Sequence, residues 1–196
     1  MTPEPRPTAK EWLALQLDSV VNGANTSTYR FNEAVGSFAQ IGIDGLTSED
    51  IVIELDRTRR RRCAKAGCSV GGVRVSNLFR HDATTANKMC DGLLARITAS
   101  GDIWLVLFEV KENRTGQAMK QVRCGHCFFE YVLSIYASVE SGATKIKDVQ
   151  YVVLGIGMPT KAVIGYKRDD PCKPEGIRTV YLSPQGRVSV ASLFAP

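Results

Sequence analysis

The chain has 196 residues, 44% of them hydrophobic, enough to enclose one sizeable core and too few to argue for two. Charged residues make up 23%, with 17 glycines and 8 prolines, which excludes wholesale disorder. A formal charge of +5 and a pI near 8.9 decide little about partners, and no stretch approaches the roughly 18 to 20 apolar residues of a membrane span.

Residues 1–10, with three prolines before Thr8, read as a loose tail, and residues 11–196 as a single domain. The N-terminus lacks a basic start followed by an apolar block, so a cytoplasmic location is expected. From Glu11 the apolar spacing of Trp12, Leu15, Val20 and Val21 predicts a helix ending near Asn22-Gly23, and a second helix is expected over Tyr29 to Gln40. Thr47-Ser48-Glu49-Asp50 resembles a helix start. The β-branched Ile51-Val52-Ile53 that follows fits a strand equally well.

Beyond Gly71-Gly72 three strands are predicted, Val73 to Phe79, Cys90 to Thr98 and Ile103 to Lys111, with turn residues Ala99 to Asp102 between the last two. A long helix follows over Thr115 to Ser138, where Ala118, Val122, Phe129, Val132, Leu133 and Tyr136 recur at helical spacing. Val149 to Ile156 reads as a buried strand, and Gly176 to Leu193 as a hairpin turning at Ser183-Pro184-Gln185-Gly186. This order gives an α+β, or mixed α/β, domain with a central mixed sheet flanked by helices.

If Cys90 to Thr98 and Ile103 to Lys111 pair antiparallel about Ser100, Asp91 falls opposite Glu109, because both are equally distant from residue 100. Opposed residues point to the same face, with Cβ atoms about 5 Å apart, and Lys111 joins them two residues beyond Glu109. The run Trp104-Leu105-Val106-Leu107-Phe108 leads directly into Glu109 and implies a strand covered on both faces. Carboxylates there need a partner or a cation. Two hard oxygen ligands suit Mg²⁺ or Mn²⁺ better than zinc, and a lysine beside such an ion fits phosphodiester hydrolysis. The rival account is a structural ion pair in which Lys111 satisfies one of the acids.

Met89-Cys90-Asp91-Gly92-Leu93-Leu94, then Trp104 to Lys111, then Gln117 and Gln121 on a helix, resemble the PD-(D/E)xK, or restriction-endonuclease-like, superfamily. The match covers about residues 73–155, and Cys90 stands where the family name has proline. The resemblance implies that Asp91 and Glu109 bind the divalent metal, with the Val110 carbonyl as a further ligand. Lys111 is then the catalytic lysine, and Gln121 and Gln117 project toward the site or the substrate backbone. A further acid often completes such sites. Glu33 and Glu54 are the candidates, with Glu54 favoured.

The resemblance also implies action in restriction, repair or antiviral defence, on DNA before RNA, and a homodimer or an activating protein partner. Arg59, Arg60, Arg61 and Arg62, together with Lys120, Arg123 and the loop residue His81, are the candidate backbone contacts. A charge run is ordinarily only a solvated face. Cys124-Gly125-His126-Cys127 has dithiol spacing and, with Cys63 and Cys68, the count for a zinc site. The simpler reading makes its thiols small buried helix residues beside a glycine, Gly125, that admits a close neighbour. A non-catalytic module that binds nucleic acid or protein is the alternative to a nuclease.

Overall fold

A computed structural model describes residues 6–17, 20–31, 40–55, 89–111, 118–155 and 176–195. The expected strand Val73 to Phe79, the arginines 59–62, His81, Gln117, Glu33, Cys63 and Cys68 lie outside these residues.

Helix α1 spans Ala9–Gln16 and opens on a capping box. Thr8 Oγ1 accepts from the Glu11 N–H at 3.3 Å, and Glu11 Oε2 accepts from the Thr8 N–H at 2.8 Å. The helix ends at Gln16, short of the expected Asn22. Val20–Asn22 is instead strand β1, because the paired valines find an edge position antiparallel to strand β4, Asp50–Glu54. The second expected helix is likewise replaced at its start by strand β2, Thr28–Phe31. Tyr29 and Phe31 are buried and Arg30 between them is exposed, a period of two that overrides the helical reading. Strand β3, Ile41–Asp44, pairs antiparallel with β2.

The segment Thr47 to Asp50 closes a turn rather than a helix. Asp50 Oδ2 accepts from the Thr47 N–H and hydroxyl, both at 2.8 Å, while the same carboxylate takes Arg96 Nε and Nη2 at 2.8 and 3.0 Å. Arg96 stands directly across from Asp50 on strand β5, Gly92–Ile97, so the cap signature is spent on anchoring two strands. β5 turns through Ser100 and Gly101 into strand β6, Asp102–Lys111. Their register runs from Gly92 opposite Phe108 to Ile97 opposite Ile103, which centres the hairpin on residue 100 as the sequence predicts.

Helix α2, Ala118–Glu140, crosses back and leads to strand β7, Lys145–Gly155, which runs parallel to β6. Strand β8, Ile177–Tyr181, is parallel to β7 and completes a six-stranded mixed sheet ordered β1-β4-β5-β6-β7-β8. The turn at Ser183 to Gly186 forms, with the Gly186 N–H bonded to Ser183 O at 2.8 Å. It does not close the expected hairpin. Strand β9, Arg187–Ser189, leaves the large sheet and pairs parallel with β3, building a second sheet ordered β2-β3-β9. A short helix α3, Val190–Phe194, ends the described chain.

The mixed α+β architecture is therefore present, with one amendment to its layers. One face of the large sheet packs Ile53, Leu93, Leu105 and Leu107 against Trp12 and Leu13 of α1 and Val122, Phe129 and Leu133 of α2. The other face packs Val52, Leu94, Val106 and Phe108 against Tyr29, Phe31, Ile41, Ile43 and Val188. The second sheet, with α3, covers that face. No described helix is long and apolar enough to cross a membrane.

Candidate metal centre

The hairpin carries the two acids to one corner of the large sheet. Asp91 precedes β5 by one residue, so the register that sets Gly92 against Phe108 brings it to Glu109. Two hydrogen bonds tie the Asp91 segment to the end of β6. The Asp91 N–H donates to Glu109 Oε2 at 3.1 Å, and the Val110 N–H donates to Asp91 Oδ2 at 2.6 Å. The Asp91 carboxylate thus takes the ladder position that a carbonyl would fill had β5 continued. An aspartate's own carboxyl oxygens lie within about 5 Å of its nitrogen, so the two carboxyl groups are at most about 8 Å apart. That is close enough for side-chain rotation to bring both onto one hard cation.

Glu109 is 1% exposed, and its Oε1 pairs with Lys111 Nζ, whose side chain is 30% exposed. A buried carboxylate is costly unless partnered, and Lys111 supplies the partner from the open side of the corner. Glu109 shares its face with Leu105 and Leu107, the face beneath α2. From that helix Gln121 holds the segment that carries Asp91. Gln121 Nε2 donates to Met89 O at 3.3 Å, and its main-chain carbonyl accepts from the Cys90 N–H at 3.2 Å.

Cys90 and Gly125 complete the seat. A Cβ at Gly125 would come within 2.6 Å of Cys90 Sγ, 2.9 Å of Leu107 Cδ2 and 3.1 Å of Leu55 Cδ1. The helix rests on the thiol through a missing side chain, as expected of Gly125, whereas the run's own thiols are not buried as that reading held: Cys124 is half-buried and Cys127 exposed. Burial pushes the Cys90 thiol well up, and the neighbouring Glu109 and Asp91 push it the same way. Cys90 is therefore a neutral packing group. The sequence marks it only as the residue before Asp91.

Glu54 does not join this corner. It lies opposite Gly92, and through it Phe108, on the face that meets the second sheet, where it accepts from the Tyr29 hydroxyl. The reason is local: residues 50–54 form a strand, and alternation sends position 54 to the face opposite Glu109. Lys120 and Arg123 are exposed on α2, one on each side of Gln121 in sequence.

Comparisons with protein-family models, with curated proteins and with solved structures each return no match. The donor set itself answers whether a divalent ion fits. Among the described residues no group of three histidine, cysteine or acidic side chains is poised around one point. The corner offers two carboxylates and, on the same edge of β6 as the Val110 N–H, the Val110 carbonyl. Such an all-oxygen set, which leaves other positions to water or substrate, suits Mg²⁺ or Mn²⁺ and not zinc. The residues fit.

Proposed function

We propose that the protein is a metal-dependent nuclease that hydrolyses phosphodiester bonds, with DNA the favoured substrate. The observation that carries this reading is the hydrogen bond from the Asp91 N–H to the Glu109 carboxylate, with the Asp91 carboxylate bonded to the Val110 N–H, at a sheet corner that also holds Lys111. Asp91, Glu109 and the Val110 carbonyl would hold Mg²⁺ or Mn²⁺, which when bound polarises a phosphoryl oxygen and acidifies a water.

The chain's own groups have distinct tasks in this reading. Lys111 offsets charge that develops on the phosphate oxygens, from a half-open position that substrate reaches. Glu109, buried beneath α2, fixes the ammonium in place. Gln121 positions the Asp91 segment from α2, and the exposed Lys120 and Arg123 offer backbone contacts along the same helix. The test is digestion of plasmid, single-stranded DNA and RNA with Mg²⁺, Mn²⁺ or EDTA, beside Asp91→Asn and Lys111→Met. Cutting that needs the metal and is lost in both variants supports the reading. Equal cutting by wild type and variants overturns it.

One observation favours a second reading. The direct Lys111–Glu109 ion pair satisfies both charges within the protein, as a non-catalytic module that binds nucleic acid or protein would. That reading expects nucleic-acid binding that is indifferent to EDTA and to Asp91→Asn, with no cutting under any condition.

A further inference from the structure

The outer face of the second sheet holds a slot that the corner chemistry does not use. Arg30 of β2 pairs with Gly42 of β3, and Gly42 pairs in turn with Arg187 of β9, so the three form one row across the sheet. Paired residues point to the same face, and Arg30 points outward, away from its buried neighbours Tyr29 and Phe31. Two guanidinium side chains therefore flank a position that has no side chain. With strands about 4.8 Å apart, their Cα atoms stand roughly 10 Å apart, a span that one anion between two arginine heads bridges.

The glycine shapes the slot. A Cβ at position 42 would come 3.4 Å from Arg187 Cγ and 3.5 Å from its Nε, so Arg187 lies along the floor that Gly42 leaves. The cleft holds about 230 Å³ and is lined by Arg30, Gln40, Ile41, Gly42, Gln185 and Arg187. Arg187 Nη2 pairs with Asp44, yet its Nε is buried with no hydrogen-bond partner. Buried polar donors are almost always satisfied, so the guanidinium of Arg187 keeps donor capacity that Asp44 does not use. Two arginines facing one aspartate leave an excess of positive charge.

We propose that this slot binds a phosphate group. A tetrahedral oxyanion presents enough acceptors to take the guanidinium groups of Arg187 and Arg30 together, in a cleft that Gln40 and Gln185 also line. The volume exceeds that of a phosphate alone and stays below the usual range for pockets that enclose a whole organic ligand. The bearer of the phosphate is either a small phosphomonoester or the backbone of a polynucleotide passing over the sheet. The slot lies across the large sheet from α2 and stands independently of any nuclease activity.

Titration of the full chain with inorganic phosphate at constant ionic strength, followed by ³¹P NMR and by the thermal midpoint, tests the assignment. Wild type is expected to show saturable binding, and Arg30→Gln, an exposed change that leaves the Asp44 pair intact, to weaken it by about tenfold. Gly42→Val, which fills the floor, is expected to remove binding, with circular dichroism reporting that the fold persists. Displacement of phosphate by adenosine monophosphate but not by a ten-residue oligothymidylate assigns the slot to a small ligand. Displacement by the oligonucleotide assigns it to a polymer backbone. No saturable binding by wild type, equal binding by wild type and Arg30→Gln, or the same midpoint shift with acetate overturns the proposal.

Discussion

Asp91 Oδ2 accepts the Val110 N–H at 2.6 Å, so the acid at the corner of the sheet also closes the hydrogen-bond ladder of the strand beside it. Charge and geometry at this position therefore separate under substitution. Asparagine retains an acceptor for Val110, while alanine leaves that N–H without it. Asp91→Asn is expected to unfold close to wild type in urea, and Asp91→Ala to lose about 1–3 kcal/mol. Both are expected to lose metal-dependent cutting. A stability loss as large in the asparagine variant would mean that charge, not the hydrogen bond, holds the strand end.

Lys111 separates binding from chemistry in a second way. Its ammonium neutralises Glu109 and is not an oxygen donor, so Lys111→Met removes the charge that the proposed function assigns to substrate while keeping both carboxylates. Mg²⁺ is expected to raise the thermal midpoint of this variant at least as much as that of wild type, by mass action on the folded state. Cutting is expected to fall by about 10²-fold or more. A variant that cuts normally would remove Lys111 from the chemistry.

The hairpin was legible because its two strands are long and apolar and the turn chemistry at Ala99 to Asp102 is local, so counting from residue 100 yields the register. α2 was legible for the same reason, its buried stripe repeating from Ala118 to Tyr136. The short strands were not. Val20, Val21 and Tyr29 fit a helical spacing as well as a strand, and only pairing with β4 and β3 decides between them. Glu54 followed that uncertainty, since a strand at residues 50–54 turns its carboxylate toward Tyr29. The partnership of β9 with β3, which brings Arg187 to Asp44 across 143 residues, leaves no local trace at all.

Among the described residues Asp50 is, with Glu109, one of two buried acids, and its stability role is open to a direct test. Its carboxylate is shared by Arg96 and by the Thr47 N–H and hydroxyl, and the hydrogen bonds to Asp50 raise the Arg96 pKa. Arg96→Leu leaves that charge without its cation between β4 and β5. A loss of roughly 2–4 kcal/mol is expected from urea unfolding, below the full cost of breaking an enclosed pair because Arg96 is partly exposed. Asp50→Asn with Arg96→Leu is expected to recover part of it. A loss below about 1 kcal/mol in the single variant would class the pair with ordinary surface bridges.

Glu11 predicts an acid-sensitive helix start. The Thr8 main-chain N–H, then the Thr8 hydroxyl, hold the Glu11 carboxyl below its ordinary value of 4.5. A depressed folded pKa contributes stability that is fully present above the unfolded value and is lost as pH falls through the folded one. The urea midpoint of wild type is therefore expected to exceed that of Glu11→Ala at pH 6, and the difference to vanish as pH is lowered below 4.5 and through the depressed folded value. A difference that persists unchanged in acid would assign the effect to something other than the ionised cap.

Gly125 ties the long helix to the acid it serves. Adding a Cβ there drives into Cys90 Sγ at 2.6 Å, and Cys90 is the residue before Asp91, so the displacement is passed to the corner. Gly125→Ala gains helix propensity, worth up to about 1 kcal/mol, and meets overpacking that typically costs 1–3 kcal/mol. The clash is expected to win, with a net loss of stability and a larger fall in cutting than in metal-free folding. Cys90→Ala removes the nearest obstacle and leaves Leu107 and Leu55 in place, so the double variant is expected to regain part of the stability. The coupling between the two positions, read from a double-mutant cycle, is then favourable by at least about 0.5 kcal/mol. Additive losses would mean that Leu107 and Leu55, rather than the thiol, limit how closely α2 approaches the site.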